Sequence, residues 1–202
     1  MSLLLETIRI ENGTPVNLGY HQRRVDRSRK ALFGTTGGLD LLSMVPHDLS
    51  AKGIYKWRIV YGRRVTSIKV EPYVPKKVRS LQMVRNDSIE YPFKYADRSA
   101  FEHMLRDRGS CDDILVIRNG LVTDTSYANV AFFDGKNWLT PKAPLLRGTC
   151  RERLLETGII VEAEIREAEV SRFVSVTLIN AMLDPGIVVV PAGKIIPALS
   201  NR

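Results

Sequence analysis

The sequence predicts a mixed α+β protein made of two small domains. Three observations carry this. Short alternating strands recur as hairpins around Asn-Gly and Gly-containing turns. Helical stretches are interspersed with those hairpins rather than alternating one-for-one with strands. A Pro- and Lys-rich break at Pro72, Pro75 and Lys76-Lys77 divides the chain. The expected parts are an N-terminal α+β domain over 1–74 and a C-terminal domain over 78–202. The hairpins argue against a doubly wound parallel sheet.

Leu4 to Ile10 reads as a strand, with Leu4, Glu6, Ile8 and Ile10 on one side and Leu5, Thr7 and Arg9 on the other. Glu11-Asn12-Gly13-Thr14 is an Asn-Gly hairpin turn, and a short strand through Val16 and Leu18 follows. Tyr20 to Phe33 is helical and closed by Gly34, and 34–38 is a loop. Ile54 to Tyr61 and Val65 to Tyr73 form a second hairpin around Gly62-Arg63. Beyond the break, Val78 to Val84 is a strand and a helix runs from Asp97 to Arg108. Asp113 to Arg118 and Leu121 to Thr123 pair across Asn119-Gly120, and Asn129 to Phe133 and Asn137 to Thr140 pair across Asp134-Gly135-Lys136. A helix from Thr149 to Glu156 ends at Gly158. Then come a strand (Ile159 to Ile165), a short helix (Glu167 to Phe173), a buried strand (Val174 to Ala181) and a last strand (Ile187 to Val190).

The chain has 202 residues, 44% of them hydrophobic, enough for a sizeable core. No apolar run reaches the roughly 18 residues of a membrane span. The opening Met-Ser-Leu-Leu-Leu-Glu-Thr-Ile-Arg-Ile meets charge too early for a signal peptide, so a cytoplasmic protein is expected. Cys111 and Cys150 show no metal-ligand spacing and are expected as reduced thiols, with no metal bound. The net charge of +8 peaks in His21 to Lys30. That run reads first as a solvated helix face, then as a field that attracts a small anionic substrate. No aromatic platform or Cys/His finger accompanies it, so no nucleic-acid partner is expected.

Three features carry chemistry. Lys94 lies between Phe93 and Tyr95, just before a helix. An amine that forms a Schiff base must be neutral part of the time, and burial or nearby cations favour that. Read alone, Lys94 is a surface lysine. Asp124 follows Leu121-Val122-Thr123 at a strand end, where a carboxylate can keep a pyridine nitrogen protonated. Read alone, it is a turn aspartate. Gly148-Thr149-Cys150-Arg151 opens a helix, where backbone N–H groups and the helix dipole suit a phosphate and glycine permits close approach. Read alone, it is an ordinary N-cap by Thr149. Arg24 could give the same phosphate a bidentate contact, or be one more exposed arginine. An amine, a lone carboxylate and a glycine-led helix start, in that order, suggest a site for pyridoxal 5'-phosphate.

Nearly the whole chain resembles the class IV aminotransferases, the fold-type IV pyridoxal-phosphate enzymes, which include aminodeoxychorismate lyase, D-amino acid aminotransferase and branched-chain aminotransferase. Glu6-Thr7-Ile8-Arg9-Ile10-Glu11-Asn12-Gly13 is similar to the family's strand and turn. His21-Gln22-Arg23-Arg24-Val25 looks like its His-x-x-Arg-Leu helix, which makes Arg24 the phosphate-binding arginine. Lys94 matches the Schiff-base lysine and Leu121 to Val130 the segment with the ring-nitrogen carboxylate. Gly148 to Arg151 matches the phosphate-cradling Gly-x-x-Arg, and Ile179-Asn180-Ala181-Met182 the late loop over the phosphate side. The resemblance implies two small mixed α/β domains with the site in the cleft between them. It also implies a homodimer and cofactor-binding residues Arg24, Lys94, Asp124, Gly148, Thr149, Cys150 and Asn180.

There are departures. Asp124 stands where the family usually has a glutamate, one methylene longer. Cys150 stands where aminotransferases usually carry a phosphate-bonding threonine. The resemblance begins at about the family's third structural element, so a shortened N-terminal domain is expected. The Asn180-Ala181 pair looks more like the lyase loop than the Thr-Thr or Thr-Ala loop of the aminotransferases. The soft residue Cys150 leans the same way. The resemblance therefore favours a 4-amino-4-deoxychorismate lyase of folate biosynthesis, releasing pyruvate and 4-aminobenzoate with Lys94 as proton carrier. A branched-chain or D-amino acid aminotransferase is the alternative, and a non-catalytic family member a third reading. Arg9, Arg58 and Arg98 are candidate binders of the carboxylates of a small anionic amino substrate.

Overall fold

Strand β1 (Leu4–Glu11) alternates as its sequence requires, and the side bearing Leu4, Ile8 and Ile10 is buried. The computed structural model describes residues 2–35, 37–46 and 52–198; Thr36, inside the loop expected at 34–38, lies outside them. The chain divides into two units, Met1–Val74 with Phe93–Asp97, and Pro75–Pro92 with Arg98–Arg202. The segment around Lys94, expected in the C-terminal part, thus belongs with the N-terminal unit. The cause is backbone pairing to β1: Leu5 N donates to Lys94 O at 2.8 Å and Ala96 N to Leu3 O at 2.9 Å.

In the N-terminal unit, β1 pairs with β2 (Thr14–Pro15) and with β3 (Ile54–Tyr61), and β3 pairs with β4 (Val65–Pro72), all antiparallel in the order β2-β1-β3-β4. The short strand expected through Val16 and Leu18 falls instead at Thr14–Pro15. Asn17 takes a left-handed conformation there and starts helix α1 (Leu18–Phe33), ahead of the expected Tyr20. Gly34, also left-handed, closes α1 through N–H bonds to Arg29 and Lys30 carbonyls. The helix is not simply a solvated face. His21, Arg24, Val25, Ser28 and Arg29 are buried along one stripe, and only Arg23, Arg27 and Lys30 of the basic run are exposed. Gln22 clamps the following segment, donating to Leu39 O at 2.9 Å and accepting from Leu41 N at 2.9 Å. Arg29 ties the same region down through the carbonyls of Gly37 and Arg63. The core joins Leu4, Ile8, Ile10, Val25, Leu41, Trp57, Ile59 and Tyr61, with Phe93 and Tyr95 against it.

The C-terminal unit holds two sheets on a common core. One has the order β13-β5-β6-β7, from β5 (Leu81–Arg85), β6 (Asp113–Arg118), β7 (Leu121–Thr125) and β13 (Ile195–Ile196). The other has the order β10-β9-β8-β11-β12, from β8 (Asn129–Phe133), β9 (Trp138–Pro141), β10 (Val161–Ala163), β11 (Ser175–Ile179) and β12 (Val189–Pro191). Leu81, Met83, Leu115, Ile117 and Val122 of the first sheet share one cluster with Val130, Phe132, Val176, Leu178 and Val190 of the second. The run Ile114 to Ile117 is buried on both faces because β6 is a central strand, parallel to β5 and antiparallel to β7. Helix α2 (Ser99–Met104), continued by a 3-10 turn over Leu105–Arg108, occupies the crossover between β5 and β6. Helix α3 (Thr149–Glu156) falls where expected.

Several strand ends differ from expectation. Strand β5 begins at Leu81 rather than Val78, because Arg79 N and Ser80 N bond to Asp112 Oδ2 instead of a neighbouring strand. Strand β7 runs on to Thr125, so Asp124 sits inside a strand and not in a turn. Strand β10 is an edge strand of only Val161–Ala163, paired in parallel with β9. Both cysteines are free and buried. No helix among the described residues is long and apolar enough to cross a membrane.

Candidate functional site

The residues singled out by the sequence fall into two groups, one in each unit. In the N-terminal unit, Glu6 lies on the apolar side of β1, fully buried, where alternation would place another aliphatic residue. Two turns of α1 supply its partners. Arg24 Nε donates to Glu6 Oε1 at 2.8 Å and Arg24 Nη2 to Oε2 at 2.6 Å, a bidentate pair. His21 Nδ1 lies 2.6 Å from Oε2. Burial alone would raise the Glu6 pKa, but the Arg24 charge and the bonds from His21 and Arg24 outweigh it and hold the carboxyl down at about 2. Burial lowers the His21 pKa, helped by the charges of Arg24 and Lys94 and opposed by the Glu6 bond. The imidazole is therefore a neutral hydrogen-bonding partner near pH 7. Lys94 enters this group through β1: its carbonyl receives the N–H of Leu5, next to Glu6. Lys94 is half-buried, and the rings of its sequence neighbours Phe93 and Tyr95 meet edge to face at 6.1 Å.

In the C-terminal unit, Asp124 points inward from β7 at 4% exposure. Its Oδ1 accepts from Asn129 Nδ2 at 2.7 Å, and its Oδ2 from Leu146 N at 2.9 Å. Neither donor is a cation. Burial therefore pushes its pKa up to about 6, against the opposing pull of the Leu146 N–H, Asn129 and the Arg151 charge. Gly148, not Thr149, is the N-cap of α3. Thr149 is 2% exposed as the first helical residue. The Cys150 thiol packs with Ala131, Leu154, Ile160 and Ile179, 3.9 Å from Leu183 O. Arg151, the arginine of Gly-x-x-Arg, anchors the helix: it donates to Thr140 Oγ1 at 3.3 Å, Pro141 O at 2.8 Å and Glu162 at 2.7 Å. Asn180 closes the turn after β11, accepting from Met182 N at 2.8 Å and donating to Tyr127 O, just beyond Asp124, at 3.4 Å.

The structure thus groups Arg24 with Lys94, and Asp124 with Gly148, Thr149, Cys150 and Asn180. Sequence reasoning assigned no role to Glu6, His21 or Asn129. Glu6 had a signal, a carboxylate on the apolar side of an alternating strand; Asn129 had none, because its role is set by contacts. Among the proposed carboxylate binders, Arg9 pairs with Glu11 at 2.6 Å, and Arg98 holds Ser126 O and lies 5.0 Å over the Phe101 ring. Both have structural work. A separate cavity of about 760 Å³ in the C-terminal unit, lined by Arg85, Asn119, Leu121, Glu164, Arg166 and Glu167 among others, contains none of the predicted site residues. Its charges are paired, Arg85 with Glu167 at 2.9 Å and Arg166 with Glu164 at 2.9 Å.

The group formed by Asp124 and the α3 N-terminus fits pyridoxal phosphate by its donor chemistry. A buried carboxylate bonded by the neutral donors Asn129 and Leu146 suits a protonated ring nitrogen, and a glycine-led helix start suits a phosphate. Residues 66–192 match the family model for amino-transferase class IV. An uncharacterized protein of Haemophilus influenzae is 40% identical over 183 residues, covering 89% of this chain and 97% of its own length. The crystal structure of a candidate 4-amino-4-deoxychorismate lyase from Haemophilus somnus superposes with a TM-score of 0.83 at 33% identity, over 90% of this chain and 97% of that one. A hypothetical aminotransferase from Mycobacterium tuberculosis, in its pyridoxal-phosphate-bound form, shares the fold at a TM-score of 0.75 and 16% identity, over 100% of this chain and 84% of its own.

Proposed function

The chain belongs to the class IV aminotransferase family, and from that premise we propose that it is a pyridoxal-phosphate-dependent lyase that converts 4-amino-4-deoxychorismate to 4-aminobenzoate and pyruvate. The observation that carries cofactor binding is Asp124: a buried carboxylate bonded to the neutral donors Asn129 and Leu146, with its pKa raised to about 6, suits a cationic N–H partner. The lyase reading is supported by the likeness to the Haemophilus somnus structure and by the Asn180-Ala181 turn.

When bound, the cofactor supplies an aldehyde for the substrate amine and a ring that delocalises negative charge. The residues divide the remaining work. Lys94 Nζ provides the amine and carries the proton between substrate and product. By the family likeness, Arg24, oriented by Glu6, and the helix start at Gly148, Thr149 and Cys150 would each serve phosphate binding. Asp124 would accept a hydrogen bond from the protonated ring nitrogen, keep it protonated and fix the ring's orientation. Asn180 shapes the turn beside the Asp124 loop. The substrate is small and anionic, and the net charge of +8 favours its approach. A homodimer, a cytoplasmic location and a place in folate biosynthesis belong to the same proposal and are supported by the family likeness alone.

Transamination is the second reading, favoured by the family as a whole and by the likeness to the Mycobacterium tuberculosis fold. Product analysis of the cofactor-loaded protein separates the two. Pyruvate and 4-aminobenzoate formed without a 2-oxo acid support the lyase. Turnover that requires a 2-oxo acid acceptor replaces it with the transaminase. A loaded protein with neither activity leaves a non-catalytic member of the family.

A further inference from the structure

One amide side chain ties together the two cofactor-facing features of the C-terminal unit. Asn129 opens β8, and its Nδ2 donates to Asp124 Oδ1 at 2.7 Å and to Leu146 O at 2.8 Å. Leu146 N returns to Asp124 Oδ2 at 2.9 Å. The carboxylate, the amide and the Leu146 peptide therefore form a closed ring of three hydrogen bonds. Both acceptors around Nδ2 fix which end of the amide is nitrogen.

Gly148 completes the arrangement. Its φ of −73° is ordinary for any residue, so conformation does not demand glycine here. Space does. A Cβ at position 148 would lie 2.1 Å from Asn129 Oδ1 and 3.3 Å from its Cγ. The place where a side chain would stand is filled by the Asn129 amide, not kept for a phosphate as the motif alone suggests. Gly148 is also the N-cap of α3, so the amide that grips Asp124 is packed directly against the helix start.

We propose that Asn129 is a positioning residue of the cofactor site: it holds the Asp124 carboxylate at a set offset from the α3 N-terminus, so that the ring-nitrogen partner and the phosphate turn act as one rigid gauge, with Gly148 required to make room for it. The proposal deepens the cofactor reading above and rests on it. The aspartate in place of a longer glutamate makes the gauge matter more, because a shorter side chain has fewer torsions with which to correct a misplaced ring.

The test is a pyridoxal phosphate titration, followed by absorbance, of the wild type, Asn129→Ala, Gly148→Ala, Asp124→Ala and the Asn129→Ala/Asp124→Ala pair, with a thermal melt of each cofactor-free protein. A wild type that binds no pyridoxal phosphate overturns the cofactor reading itself. If the wild type binds, Asn129→Ala and Gly148→Ala should each weaken binding on the order of tenfold, the range that ligand-orienting partners command elsewhere. Removing Asn129 should add less than about twofold once Asp124 is gone, because the two act as a unit. Equal affinity in wild type and variants, or the same loss with and without Asp124, overturns the proposal and leaves Asn129 a structural residue. If Asn129→Ala does not fold, Gly148→Ala decides alone. Failure of both to fold also overturns it, since the clamp would then serve the fold.

Discussion

Glu6 and Arg24 meet through two hydrogen bonds of 2.8 and 2.6 Å in the interior of the N-terminal unit, where Glu6 is fully buried and Arg24 is 7% exposed. The arginine proposed to bind phosphate is thus already half-committed, its charge balanced and its fork aimed by a carboxylate from β1. Removing that carboxylate leaves a buried cation without its partner, a change that typically costs about 3–5 kcal/mol. Glu6→Gln should lower unfolding stability by that order, measured by urea denaturation at pH 7. The pH dependence has a definite sign. Folding lowers the Glu6 pKa from 4.5 to about 2, so its stabilising contribution is complete above pH 4.5 and drains away as pH falls toward 2. The difference between wild type and Glu6→Gln should shrink by about 3 kcal/mol between pH 5 and pH 2.

Asp124 predicts the opposite slope. Its pKa rises from 3.8 to about 6 on folding, so its stabilising contribution is present below pH 3.8 and lost as pH rises through 6. Cofactor-free wild type should therefore lose about 2 kcal/mol relative to Asp124→Asn between pH 4 and pH 7.5. Loading with pyridoxal phosphate should flatten the wild-type slope, because a ring N–H⁺ against the carboxylate lowers its pKa again. Denaturation of free and loaded proteins at those two pH values checks both statements. A slope that survives loading would place the ring nitrogen elsewhere.

The contrast between these two carboxylates shows what could be read from sequence. Alternation in Leu4–Glu11 and the turns at Asn12-Gly13 and Asn119-Gly120 specify hairpins locally, and the hairpins appear. Glu6 sits on the apolar side of its strand, but its partners lie 15 and 18 residues away on a helix, and no local rule names them. Asp124 was picked out as a carboxylate by its place in the order of motifs. Its burial was not, because Thr125 extends β7 by bonding with Ala128 across the next turn. The edge strands Thr14–Pro15 and Ile195–Ile196 carry no pattern of their own; neighbouring strands set them. Gly148 was found for one reason and is needed for another, since only coordinates reveal the Asn129 amide in its Cβ position.

Lys94 offers a clean separation of fold from chemistry. Its backbone carbonyl accepts from Leu5 N at 2.8 Å. Alanine preserves that bond. Lys94→Ala should therefore melt within a few degrees of wild type, roughly ±0.5 kcal/mol in stability. It should lose turnover by about 10²–10⁴-fold or more if the amine moves the proton. A variant with full turnover would remove Lys94 from the mechanism; one that fails to fold would show that its side chain serves the core.

Arg151 should behave in the reverse way. It is the arginine of the phosphate-cradling motif, yet it is 4% exposed and its described bonds run to Thr140, Pro141 and Glu162, anchoring α3 to β9 and β10. Those bonds fix where the helix begins. Of its bonds, the one to the buried Pro141 carbonyl should matter most, because the Glu162 side chain is 44% exposed and that ion pair is screened by solvent. Arg151→Ala should cost about 2–3 kcal/mol, as loss of charged hydrogen bonds to buried acceptors does, and Glu162→Ala about 1 kcal/mol or less. Arg151→Lys should not rescue it, since a lysine cannot reach Thr140, Pro141 and Glu162 from one planar fork. Urea denaturation of the three cofactor-free variants ranks them directly. If Glu162→Ala destabilised as much as Arg151→Ala, the anchor would be the ion pair and not the buried carbonyl.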